Sequence, residues 1–305
     1  MPDINRSIDI ERILAKKSCL LLGPRQVGKS WLIRNQLAGH KVYNLLEVET
    51  YRALSQSPGL IRRELSAKDK VIVIDEIQKL PELLDEIQLM IEENGIKFLL
   101  TGSSARKLKR KGVNLLGGRA RSLMFHPLVM SELKDHFDLE RALSRGLIPS
   151  IFFSSSYWSD LKDYVSSYLR EEIAIETAIR SLPAFSRFLD VAALCNSQQI
   201  SFTSIGNDAQ VAPTTVREYF QVLEDTLVAR RLPAWRESKK RKAVATSKYY
   251  FFDVGVVRFL QGRKHLSRDT AEFGEALETY LFLSLIHISE PTRLRRISYA
   301  VFCLK

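Results

Sequence analysis

The sequence has few cysteines and histidines and no long apolar run. Its three cysteines, Cys19, Cys195 and Cys303, are odd in number and far apart, which argues against a disulfide framework. Its five histidines, His40, His126, His136, His265 and His287, are scattered and share no ligand spacing with cysteine or acid, so a metal site built from protein ligands alone is not expected. No segment reaches the ~18 consecutive apolar residues that a bilayer span needs. The N-terminus, Met1-Pro-Asp-Ile-Asn-Arg6, lacks a basic stretch followed by an apolar one, so no secretory signal is read there. These absences lead to the expectation of a cytoplasmic protein with no membrane partner.

Acidic residues are also scarce relative to basic ones, 35 against 46, for a net charge of +11. Such an excess points to an anionic partner such as nucleic acid, or simply to a solvated basic surface, and composition leaves both open. With 45% hydrophobic residues over 305 positions, the chain has material for about two domains.

The first half alternates short β-like runs with helical stretches. Ser18–Leu22, Lys41–Leu46, Val71–Ile74, Lys97–Leu100 and Arg121–Phe125 read as strands. The continuous β-branched run Val71-Ile-Val-Ile74 suits a parallel strand buried on both faces. Helices are expected over Trp31–Leu37, over Tyr51–Leu65 with an interruption at Pro58-Gly59, and over Glu82–Glu93 after Pro81. This alternation predicts an α/β domain, a parallel sheet with helices on both faces, over residues 1–150. From about Leu161 the pattern turns mostly helical, with helices expected over Tyr164–Ile179 and Phe185–Cys195. Ser201–Thr226 reads as a helix-turn-helix with its turn near Val211-Ala-Pro213. Strands at Val228–Trp235 and Lys248–Phe252 follow, joined by a basic loop, which completes a winged-helix pattern within residues 151–286.

Gly23-Pro24-Arg25-Gln26-Val27-Gly28-Lys29-Ser30 fits G-x-x-x-x-G-K-[ST] in full, after a predicted strand and at the start of a predicted helix. Glycines let backbone N–H groups converge on phosphates, and the helix N-terminus adds its dipole. Lys29 is placed to reach the β- and γ-phosphates of ATP, and the Ser30 hydroxyl to ligate Mg²⁺. The string Val71-Ile-Val-Ile-Asp75-Glu76 then sets two carboxylates where a buried strand emerges, the end at which open α/β sheets bind ligands. Asp75 is expected to hold Mg²⁺ through its water shell, because this ion sheds water reluctantly. Glu76 is expected to orient and polarise the attacking water. An aspartate alone suits any phosphate-loop protein, whereas aspartate followed by glutamate suits hydrolysis. A small-molecule kinase has less use for that glutamate and usually carries an arginine-rich lid.

Phe98-Leu-Leu-Thr101-Gly-Ser103-Ser104 ends a strand in small polar residues. If that strand lies beside the loop strand, Thr101 or Ser103 is placed for the γ-phosphate or the lytic water; the alternative is a strand ending in a turn. Arg119, after Gly117-Gly118, is a candidate for transition-state charge, in cis or from a neighbouring subunit, or else a surface residue. The run Arg106–Lys111 reads as a solvated face.

With Gly23–Ser30, Val73-Ile-Asp-Glu-Ile-Gln-Lys-Leu-Pro81 and Leu100-Thr-Gly-Ser-Ser104 in hand, the chain resembles the predicted AAA+ superfamily ATPases of bacteria and archaea that carry a C-terminal domain of unknown function. Gly118-Arg119, His126-Pro-Leu128, Ser131-Glu-Leu133, Tyr168-Leu-Arg-Glu-Glu-Ile173 and Tyr250-Phe-Phe-Asp-Val-Gly255 extend the match to about Leu285. The resemblance implies an ATP-binding AAA domain followed by a winged-helix segment, with Lys29, Ser30, Asp75 and Glu76 in the roles above, and no particular cellular process. Family members continue after Glu275–Tyr280 into a restriction-endonuclease-like domain. Here His287–Lys305 matches nothing in the family and resembles a tail found on unrelated reading frames, so a non-native tail is expected. It contributes +3 to the charge, leaving +8. It cannot supply the several carboxylates of a metal-dependent nuclease, so no nuclease activity is expected of this chain.

In the helix-turn-helix, Val216, Tyr219, Phe220 and Leu223 recur at helical spacing and should face the core. The opposite face, Thr214, Thr215, Arg217, Glu218, Gln221, Glu224 and Asp225, is too acidic to read phosphate-lined DNA well. The basic loop Arg236–Lys242 is the better DNA-contacting element, and a winged helix for protein contacts fits equally. The sequence thus predicts an enzyme hydrolysing ATP to ADP and phosphate, with ATP and Mg²⁺ as its ligands and a homo-oligomer among the assemblies allowed. The alternative is a nucleotide-dependent DNA-binding or protein-interaction switch with little turnover.

Overall fold

The computed structural model describes residues 2–104, 108, 115–173, 179–234 and 246–289. The basic residues of the 106–111 run, the basic loop Arg236–Lys242 and residues 290–305 of the tail lie outside the described residues. Two compact units are present, one over Ile4–His126 and one from Pro127 onward that also takes in Pro2 and Asp3.

The first unit opens with a short helix α1 (Ile10–Leu14), whose N-terminus is capped by the Asp9 side chain accepting from Arg12 N. It continues through β1 (Ser18–Leu22), α2 (Lys29–Gln36), β2 (Lys41–Asn44), α3 (Val48–Gln56), α4 (Leu60–Arg63), β3 (Val71–Asp75), α5 (Leu83–Asn94), β4 (Lys97–Gly102) and β5 (Ala120–Met124). The expected interruption at Pro58-Gly59 is what separates α3 from α4. The five strands form one sheet in the order β2-β3-β4-β1-β5, and each pairing is parallel. All five residues of β1 are buried, so both faces of that strand are covered. The same holds for Ile72, Val73 and Ile74 of β3 and for Phe98, Leu99 and Leu100 of β4. Each such side chain contributes about 1.5–3 kcal/mol by leaving water. The apolar centre of the sheet fixes the register that brings the carboxyl ends of β1, β3 and β4 level.

The second unit begins earlier than the sequence suggests. The division between the compact units falls at His126/Pro127, ahead of the residue 150 expected from sequence. Hydrogen bonds tie the segment after His126 to the rest of that unit: Leu128 N donates to Leu147 O, and Leu147 N donates to the buried Asp253 carboxylate at 2.6 Å, 106 residues away. Helices α6 (Met130–Leu133), α7 (Leu139–Arg145), α8 (Pro149–Phe152) and α9 (Tyr157–Asp163) precede a π-helical segment at Tyr164–Glu172. That segment replaces the α-helix expected from Tyr164.

Then come α10 (Leu182–Leu194), α11 (Phe202–Ala209) and α12 (Pro213–Asp225), followed by β6 (Ala229–Leu232), β7 (Lys248–Phe251), α13 (Val254–Leu260) and α14 (Ala271–Ser289). Pro213 opens α12, where a missing N–H costs nothing. Val216, Tyr219, Phe220 and Leu223 are all buried, as their spacing predicts. Phe220 meets Phe188 at 5.0 Å and Tyr249 at 4.3 Å between ring centres. Strands β6 and β7 pair antiparallel, and α14 packs on them through Tyr250, Phe282 and Ile286.

Candidate functional site

The carboxyl end of the sheet collects most of the residues singled out by sequence. Gly23–Ser30 connects β1 to α2. The connection is tight: Gly23 N donates to Gly102 O at 3.0 Å, and a Cβ at Gly23 would stand 2.1 Å from Phe125 O. Only glycine fits there, because the neighbouring atom is backbone and cannot move aside. Gly28 has φ of 100°, in the left-handed region, and turns the loop into the N-terminus of α2.

Lys29 is buried, and its Nζ donates to the carbonyls of Gly23 at 2.7 Å and Pro24 at 2.9 Å. Burial lowers its pKa to about 8, against the opposing pull of Glu76 and Asp75. A desolvated ammonium whose hydrogen bonds, among the described residues, go to two neutral carbonyls gains a stronger partner when an anion enters the loop.

Asp75 closes β3, is 5% exposed, and accepts from Ser30 Oγ at 3.2 Å through Oδ2 and from Thr101 Oγ1 through Oδ1. Burial pushes its carboxyl above the ordinary range, while the two hydroxyls pull it down. Ser30 and Asp75 are 45 residues apart in sequence, and only the parallel sheet brings them together. Two hard oxygen donors at this spacing fit a hydrated Mg²⁺ ion, which takes few protein ligands and keeps its waters. Among the described residues no three His, Cys, Asp or Glu side chains group together, so a cage made of those side chains has no counterpart here.

Glu76 follows immediately, half-buried, with φ of 63°. That left-handed conformation is costly for glutamate, at about 1–3 kcal/mol. Its backbone N–H is taken by Thr101 Oγ1 at 3.2 Å. Its carboxylate accepts from Ser103 Oγ at 3.2 Å and from Gln78 Nε2. Strand β4 indeed lies between β1 and β3, so Thr101 and Ser103 reach the acidic pair.

Arg119 is not brought to this end of the sheet. It precedes β5, whose Ala120 is level with Ser18 at the start of β1, whereas the loop follows the other end of β1. Its Nε pairs instead with Glu92 Oε1 on α5 at 2.5 Å. This position, on an exposed ion pair, fits a surface residue or action on a neighbouring copy better than action on the loop of its own chain.

Two site residues escaped the sequence reading. Gln78, on the 3₁₀ turn Ile77–Lys79, bridges Glu76 and Ser103. It lies inside a string that carries the family resemblance, but without a role assigned to it. Arg6 donates to Val27 O at 2.7 Å and His126 O at 2.8 Å, and lies 4.0 Å from the Phe125 ring centre. It thereby braces the loop from 21 residues away, and no local pattern announces it.

Two family models match adjacent parts of the chain. Residues 15–134 match an AAA domain family, and residues 136–267 match a domain of unknown function, DUF8612. The N-terminal part of the chain thus matches an AAA domain and the part after it a domain of unknown function. The AAA domain boundaries enclose the whole sheet and every residue of the candidate site except Arg6. Uncharacterized proteins of Mycobacterium bovis and Mycobacterium tuberculosis are each 27% identical over 289 residues, covering 90% of this chain. The chain spans 63% of the length of these curated relatives. Among solved structures, the Aeropyrum pernix ORC1 protein in complex with DNA aligns with 83% of this chain and 90% of its own, at 15% identity and a TM-score of 0.30. No described helix is long and apolar enough to cross a membrane.

Proposed function

We propose that the AAA domain binds ATP with Mg²⁺ and hydrolyses it to ADP and phosphate. The observation that carries this reading is the convergence of Ser30, Asp75, Glu76 and Ser103 beside the Gly23–Ser30 loop. The loop N–H groups and the start of α2 receive the phosphates, and Lys29 exchanges its two carbonyl partners for phosphate oxygens. Mg²⁺, when bound by Ser30 and through water by Asp75, supplies charge neutralisation on the β- and γ-phosphates. Glu76 orients the attacking water and takes its proton, with Ser103 fixing the carboxylate from one side. The test is phosphate release from ATP and Mg²⁺ together with ATP binding, for the wild type and Lys29→Ala. Release by the wild type and loss of binding in the variant support the reading. Equal binding and release in both contradict it.

A second reading, a nucleotide-dependent switch that contacts DNA, draws on the second unit. Helices α10, α11 and α12 with the β6–β7 hairpin read as a winged helix, and Arg230 and Arg231 are exposed on β6. The outward face of α12 does not favour sequence reading, since Glu224 is tied to Tyr249 Oη at 3.0 Å and Gln221 to Asp225 at 3.2 Å. Salt-dependent DNA binding that weakens on charge reversal at Lys239, Lys240 and Arg241 would favour this reading. It also predicts little turnover without DNA.

A further inference from the structure

We propose that Gln78 is a positioning residue that fixes the Glu76 carboxylate for the attack of water; the proposal rests on the hydrolase reading above. Gln78 is 3% exposed and stands on a 3₁₀ turn. Its Nε2 donates both to Glu76 Oε2 and to Ser103 Oγ, the latter at 2.9 Å. Ser103 Oγ in turn donates to the same Glu76 oxygen at 3.2 Å. Oε2 is thus held from two sides, and Oε1 is assigned to the attacking water. The backbone of Glu76 is itself held in its strained left-handed conformation by the Thr101 hydroxyl.

The other half of the Gln78 amide argues against a purely stabilising role. Its Oε1 is buried and has no hydrogen-bond partner among the described residues. A buried acceptor left unsatisfied is a net cost to the fold. Turning the amide over would let Oε1 accept from the Ser103 hydroxyl, but it would also set a carbonyl oxygen against the Glu76 carboxylate. An apolar side chain of the same size would pack there without the orphan. The residue present is the one that can donate to Glu76, so the cost is tied to the carboxylate. The glycine in Leu100-Thr-Gly-Ser-Ser104 follows from the same arrangement: a Cβ at Gly102 would lie 2.6 Å from Gln78 Oε1.

The test is steady-state phosphate release with Mg²⁺ and ATP by the full chain, with ATP affinity and thermal unfolding measured on the same preparations. The wild type is expected to turn over. Gln78→Leu is expected to lower kcat roughly ten- to hundredfold, as a misplaced reacting group does. KM and ATP affinity stay unchanged, and Tm stays level or rises because the orphan oxygen is gone. Gly102→Ala, which pushes the amide aside without removing it, is expected to lower kcat in the same direction by less. An unchanged or raised kcat in Gln78→Leu, in a wild type that turns over, overturns the positioning role and leaves the hydrolase reading intact. A kcat loss that comes with a lower Tm and weaker ATP binding assigns Gln78 to the fold and overturns the proposal as well. No release by the wild type overturns both readings together.

Discussion

Two aspartates, one in each unit, are equally inaccessible and have different surroundings. Asp75 is 5% exposed and Asp253 is 1% exposed. Both sit in strings that carry the family resemblance. Asp75 accepts from side-chain hydroxyls, Ser30 and Thr101. Asp253 caps α13 through Val256 N at 3.1 Å and accepts from Leu147 N at 2.6 Å, with the N–H groups of Gly255 and Ile148 also turned to it. Hydroxyls rotate and can exchange a carboxylate for a hydrated cation, which is what the proposed function asks of the groups around Asp75. Backbone N–H groups cannot leave, and Gly146 presses so close that a Cβ there would stand 1.9 Å from Asp253 Oδ1. A carboxylate saturated by backbone donors is a clamp between two chain segments. Burial and charge alone do not separate a site from a clamp; the kind of hydrogen-bond donor does.

The comparison breaks most visibly at the clamp. Asp253→Ala leaves several buried N–H groups without an acceptor, and each costs about 1–3 kcal/mol. A loss of roughly 3–5 kcal/mol in unfolding free energy is expected by denaturant titration, and a loss below about 1 kcal/mol would refute the clamp. Gly146→Ala comes next, at about 1–3 kcal/mol from overpacking, added to the strain of a side chain at φ of 77°. Its check is the Tm of the variant against Asp253→Ala and the double variant. The two losses should be strongly non-additive because the residues touch.

Asp75→Asn sharpens the other side. It removes a charge whose burial is already unfavourable, so stability is expected to change by less than about 1 kcal/mol. Mg²⁺-dependent ATP affinity should fall about tenfold or more, near 1.4 kcal/mol, in a titration with and without the ion. A large stability loss with unchanged affinity would make Asp75 a clamp as well. The smallest effect is expected at Arg119→Ala. Its partner is Glu92 across an exposed surface, and such pairs contribute about 0–1 kcal/mol. ATP binding should be unchanged, and any fall in turnover should appear only at protein concentrations where copies associate.

Much of the AAA domain was legible in the sequence because its signals are local. The β-branched run at Val71–Ile74, the glycines of the loop and the carboxylates directly after β3 are contiguous, and their chemistry follows from their order. Placing β4 beside β1 needed only the topology that the two motifs imply. What sequence reading missed depends on contacts across the chain. Arg6 acts on Val27 through the fold alone. Gln78 acquires its role only when β4 carries Ser103 to it. The alternatives for Arg119 stayed open in the sequence because a glycine–arginine turn does not show which end of the sheet it occupies. The unit boundary at His126 was missed because the Asp253–Leu147 bond joins residues 106 apart. The π-helical geometry of Tyr164–Glu172 leaves no mark in the apolar spacing.

The most direct test of the hydrolase account is a paired measurement on Glu76→Gln: phosphate release from ATP with Mg²⁺, and ATP binding by the same protein. The account predicts wild-type turnover, a loss of about a hundredfold or more in the variant, and retained ATP binding. Turnover by Glu76→Gln at the wild-type rate, or no turnover by the wild type itself, would contradict it.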